Sequence, residues 1–172
     1  MLPFMQWLQS IGFLTGIRES ALVYPVIMTS HLSGMALFGG MILLTDIRLL
    51  GWGLTKYSIG DVVDGLRLWK RIGGAFTMTA GLLLGSAEAE KYYGNPFFWL
   101  KMVLLVGVAI HALVFRPTVY NNTAELDKSP VIPRRAKAAA AISLVLWIGL
   151  VSAGRLIGYY EGPQAVRTEA AR

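Results

Sequence analysis

Residues 21–45 read ALVYPVIMTSHLSGMALFGGMILLT, 25 residues without an acid, a lysine or an arginine. A helix rises about 1.5 Å per residue, so this run is long enough to cross a hydrocarbon core of about 30 Å. Three further stretches read the same way: 72–92, interrupted near its end by Glu88 and Glu90; 97–115, with Lys101 one turn inside; and 138–160, with Arg155 near its far end. Ahead of the third, Asn95-Pro96 predicts a helix start, because Asn caps a first turn and Pro tolerates the first helical position. The expectation is an all-α integral membrane protein, a four-helix bundle forming one transmembrane domain over 1–172.

Composition agrees. Of 172 residues 55% are hydrophobic and 15% charged, with a mean hydropathy of +0.54. Soluble domains carry about 25% charged residues. The length leaves room for four spans and short loops, with no separate soluble domain expected. No cysteine is present, which removes disulfides, thiolate metal sites and covalent CxxCH haem attachment. The first 17 residues hold no Lys or Arg, so no signal-peptide n-region opens the chain.

The net charge of +6 is topological. Arg48, Lys56, Arg67, Lys70 and Arg71 fall between the first two spans, and Arg116, Lys128, Arg134, Arg135 and Lys137 between the last two. These ten of the sixteen basic residues lie on one side. The positive-inside rule makes that side cytoplasmic, with both termini outside, in a bacterial inner membrane. Nucleic acid is not an expected partner. Residues 3–16 are apolar but short, which suits a helix lying in the outer interface. Residues 161–172 read as a polar tail. Asn121-Asn122-Thr123 matches a glycosylation acceptor but sits in a loop on the cytoplasmic side, which argues for chance.

Helices in lipid associate through small residues and polar contacts. Gly74, Thr77, Gly81, Gly85 and Glu88 share one face of the second span, and Ser30, Gly34 and the pair Gly39-Gly40 mark the first. Helix packing explains these glycines; a groove for a flat cofactor is the alternative.

Counted along their helices from the loop side, Glu88 lies about 26 Å and Arg155 about 27 Å from the preceding basic residue, and Lys101 reaches that level from the other side. Charges in hydrocarbon face the bundle and pair. A buried cluster of Glu88, Lys101 and Arg155 is expected near the outer face, with Arg18 and Glu19 completing it. It would serve as a staple or as a pocket for an anionic group such as a quinone head, a lipid phosphate or a propionate.

Both histidines fall inside spans. His31 lies near mid-membrane and His111 about 6 Å nearer the cytoplasm by helical rise. That offset admits two ligands on opposite faces of a tilted haem b, or simply two polar groups bonding between helices. Gly34, Met35, Phe38 and Tyr24 surround His31 in a way that suits a macrocycle. Without thiolates or a convergent carboxylate, zinc and copper fit less well, and no metal is expected beyond haem iron.

Several strings resemble an uncharacterised family of small bacterial membrane proteins: Arg18-Glu19-Ser20, Tyr24-Pro25, His31-Leu32-Ser33-Gly34, Asp46-Ile47-Arg48-Leu49-Leu50-Gly51, Glu88-Ala89-Glu90-Lys91-Tyr92, Asn95 through Met102, and Gly154-Arg155. The likeness covers most of 17–158 and implies a four-span fold. Asparagine is expected at the position of His111, which weakens the second-ligand reading there. More distantly, a first-helix histidine and a lysine after aromatics at a later helix start resemble copper-resistance membrane proteins and membrane protoporphyrinogen oxidases. The residues this likeness carries over are His31 and Lys101.

Three functions remain open. One is a redox protein with His31, alone or with His111, ligating haem b, and with a quinone as partner. Another is an accessory or scaffold subunit among other membrane proteins. The third is a small-solute or proton pathway through Glu88, Lys101 and His31. No nucleophile–base pair, phosphate loop or nucleic-acid reader is present.

Overall fold

A computed structural model describes residues 2–160, and the polar tail expected at 161–172 lies outside the described residues. Among the described residues the chain is all helix and turn. In order come α1 (Leu2–Gln9), α2 (Gly12–Glu19), α3 (Val23–Leu50), α4 (Ile59–Gly65), α5 (Arg67–Ala87), α6 (Ala89–Tyr93) and α7 (Pro96–Phe115). A π-helical turn, Arg116–Tyr120, extends α7, followed by α8 (Thr123–Lys128) and α9 (Arg134–Ile157).

Three helical segments are long and apolar enough to cross a membrane: α3, α7 with its π-helical extension, and α9. The expected second span is shorter than the sequence suggested. Helix α5 ends at Ala87, and Glu88 leaves helical geometry at φ −120°, ψ 34°. Its run free of charge, 72–87, spans about 24 Å against about 30 Å of hydrocarbon.

Local chemistry sets the boundaries. Gly51 takes the left-handed conformation (φ 78°) that glycine adopts without steric cost, and Trp52 N–H returns to the Ile47 carbonyl to close α3. Asn95 caps α7 as expected, its side-chain oxygen accepting from Phe97 N–H at 3.0 Å with Pro96 behind it. The end of α5 is covered by α2, where Leu14 and Ile17 bury against Ala87. Arg18 donates to the Ala87 carbonyl at 3.5 Å, placing a cation where a helix C-terminus favours one.

The N-terminal segment differs from the single interfacial helix expected. It breaks at Ser10–Ile11 into α1, with no buried residue, and α2, which packs on α3 and α5. Helix α1 lies against α6, where Gln6 and Gln9 donate to the Glu90 carboxylate at 3.1 and 2.8 Å.

The long helices neighbour one another in the order α5, α3, α9, α7. Helices α5 and α7 do not pack along their length; Phe98 of α7 approaches Gly85 at the end next to α6. The best-packed region lies at the opposite end, where Leu49, Val119, Leu126, Ala136, Ala139 and Ala140 join Ile59 and Val63 of α4.

Candidate functional site

His31 is 8% exposed and faces α5. Its Nδ1 lies 3.0 Å from the Thr77 carbonyl oxygen. A carbonyl only accepts, so Nδ1 carries the proton and donates, which leaves Nε2 with its lone pair. Gly81 makes this approach feasible: a Cβ there would lie 2.9 Å from His31 Cε1. Gly34, one turn along α3, faces Thr77 and Phe76 as closely, and Gly74 faces Phe38. The glycine face read from the sequence is therefore a seat for His31 and two aromatic rings.

Lys101 is the charged group whose field reaches the imidazole. Its side chain lies beside Gly154 of α9. Gly39 against Trp147 and Asp46 beside Ser143 set an antiparallel register between α3 and α9. That register brings Gly154, and with it Lys101, within a turn of the level of His31.

The expected charge cluster does not assemble. Glu88 pairs instead with Lys91 at 2.8 Å. Arg155 is exposed and donates to the Tyr159 hydroxyl at 2.6 Å, its guanidinium 4.8 Å over that ring. Arg18 and Glu19 pair with each other at 3.4 Å. The depth count from the sequence assumed that both helices start at one boundary. Lys70, however, is drawn into the body, its Nζ donating to Thr45 Oγ1 at 2.9 Å. Helix α5 is thereby shifted outward relative to α9, and Glu88 lies roughly 10 Å beyond Gly81, its neighbour His31 and the level of Arg155.

His111 does not share a space with His31. Its Nε2 meets the Ala139 carbonyl oxygen at 2.9 Å, and its ring packs on Phe115 and Tyr120. Ala139 is one turn from Ser143, which stands beside Asp46, and Asp46 is about 22 Å along α3 from His31. Two axial ligands must face each other across one iron, so the paired-histidine arrangement fails on depth.

A second polar group was missed by the sequence reading. Asp46 is 1% exposed, and its Oδ2 has no hydrogen-bond partner. Thr45 and Lys70 adjoin it, and Ser143 lies beside both its carboxyl and the Tyr120 hydroxyl. The available signal was an acid one residue beyond a charge-free run, with a lysine two residues before another.

Two grooves lie elsewhere. The larger, about 460 Å³, runs between α3 and α5 past Thr29, Ser33, Leu37, Trp69 and Phe76, and does not include His31. Among the described residues no group of three His, Asp or Glu side chains could hold a metal ion, which leaves a single imidazole as the donor.

No curated protein and no solved structure matches the chain. A family model does match, over residues 4–160, and the chain belongs to the family it describes, a family of unknown function (DUF6644).

Proposed function

We propose that this is an integral protein of a bacterial inner membrane that binds haem b through His31 and serves in electron transfer. In this reading α3, α5, α7 and α9 all cross the bilayer, with both termini outside. The shortness of α5 is met by local thinning of the bilayer.

The observation that carries the haem reading is the state of His31. An imidazole buried in a helix interface, with Nδ1 tied to a backbone carbonyl, presents Nε2 in the fixed tautomer that metal ligation uses. Gly81 is the seat on α5 that lets the imidazole stand at this interface. Haem bound there would supply one-electron chemistry. The chain's own residues would bind and orient it: His31 as the axial donor, Thr77 holding the ring, and Lys101 offering a positive charge to a propionate.

The test is an absorption spectrum of the detergent-purified protein after incubation with haem. A Soret band at one haem per chain is expected. It should be lost in His31→Ala, retained in His111→Ala, and formed with roughly tenfold weaker affinity in Lys101→Met if one charge-assisted contact is removed. Protein that stays colourless overturns the reading.

A second reading, an accessory subunit of a larger membrane complex, draws on the groove between α3 and α5. There Thr29 and Ser33 are exposed on a face that would otherwise meet lipid. Stoichiometric co-purification of another membrane protein, lost in Ser33→Leu, would favour it.

A further inference from the structure

The end of the molecule that carries the two basic loops holds buried polar groups that the haem reading does not use. We propose that Asp46 is an internal proton-binding site, exchanging its proton with the basic-loop side of the molecule by way of Lys70.

Three observations converge on this. First, Asp46 Oδ2 is buried without a partner. An ionised carboxylate with an unfilled acceptor is costly in an apolar interior, whereas a proton turns that oxygen into a donor. The hydroxyl groups of Ser143 and Tyr120 stand beside it, able to donate to the carboxylate and to accept from the acid.

Second, the site is closely packed: Leu49, Thr45 and Asp46 are all under 3% exposed, and neither groove between α3 and α5 includes them.

Third, Lys70 acts electrostatically on Asp46 yet makes no ion pair with it within 4 Å among the described residues. Its Nζ is held by Thr45 Oγ1, whose own hydrogen goes to the Met41 carbonyl at 2.9 Å. Lys70 is part-exposed, so it touches both the interior and the loop side.

The groups facing Asp46 are Lys70 from α5, Tyr120 from the π-helical turn and Ser143 from α9. Beyond them His111 of α7 packs on Tyr120, and the charges of Arg67 and Asp64 act on Lys70. The exchange moves one proton and breaks no other bond. In the exchange Lys70 Nζ leaves Thr45 Oγ1 and swings to Asp46 Oδ2, where the neutral amine takes the carboxylic proton. It then hands that proton to water on the loop side, leaving the amine and a hydronium ion, and the reverse sequence reloads Asp46. None of this depends on haem at His31.

Infrared spectroscopy of the whole detergent-solubilised protein tests it. The wild type should show a carboxylic C=O band that shifts in D2O and fades as pH rises. Asp46→Asn should remove that band, and Lys70→Met should slow its D2O shift severalfold. Should Asp46→Asn fail to fold, Asp46→Glu should displace the band instead. Identical wild-type and Asp46-variant spectra in the carboxylic region at every pH would overturn the proposal. So would a band that never exchanges, or one whose exchange is as fast without Lys70.

Discussion

A single methyl group separates two adjacent glycines of α3. At Gly39 an added Cβ would run into the Trp147 ring, whereas at Gly40 it would meet nothing within 4 Å. Overpacking a tight interface costs about 1–3 kcal/mol, and Gly→Ala in an open helix position gains up to about 1 kcal/mol. Gly39→Ala should therefore lower the thermal midpoint in detergent, with part of the loss recovered by Trp147→Phe in the same chain. Gly40→Ala should leave the midpoint unchanged or raise it. The same logic applies at Gly81, where the atom in the way is His31 Cε1. The chain has two histidines, so its imidazole NMR spectrum is simple to read. Gly81→Ala should shift the His31 resonances and leave those of His111 in place.

At the scale of elements, the shortest helices are held by contacts distant in sequence. Helix α4 begins with Ser58 and Asp61 capping each other, but Asp127 also accepts from Ile59 N–H at 2.6 Å and from Gly60 N–H at 2.8 Å. One carboxylate from α8 thus caps a helix in the other basic loop, where it also meets the favourable end of the helix dipole. Losing such a cap costs about 0.5–2 kcal/mol. Asp127→Ala should show that loss in thermal unfolding and should speed proteolysis within 52–60, while Asp127→Asn should fall between it and the wild type. What the sequence disclosed follows the same division between near and far. The start of α7 was legible because Asn95 and Pro96 act on their own helix. The body of α3 was legible because charge is missing from it for 25 residues. The stop at Ala87, the pairing of Glu88 with Lys91, and the shelter of Asp46 depend on where α2, α5 and α9 lie beside one another. That is a matter of register between helices, and no single stretch encodes it. For the same reason His31 is legible as a candidate and Thr77 and Gly81 as a packing face, while the contact between them is not.

For the whole molecule, the arrangement across a bilayer can be measured directly, since the chain has no cysteine of its own. Ser10→Cys should react with an impermeant maleimide in intact spheroplasts. Ser129→Cys, between α8 and α9, should react only after the membrane is opened. The reverse pattern would invert the proposed orientation, and labelling of both in intact cells would argue against an even number of crossings. The neighbour order α5, α3, α9, α7 divides the long helices into two hairpins, α3 with α5 and α7 with α9, joined along the α3–α9 face. The ribosome delivers these hairpins one after the other. The first carries His31, Thr77 and Gly81 but not Lys101, and it carries Asp46 and Lys70 but not Tyr120 or Ser143. A nascent or prematurely terminated chain therefore holds half of each polar site, with its charges and imidazole uncovered. Only the seating of α9, the last of the long helices described, finishes both sites together.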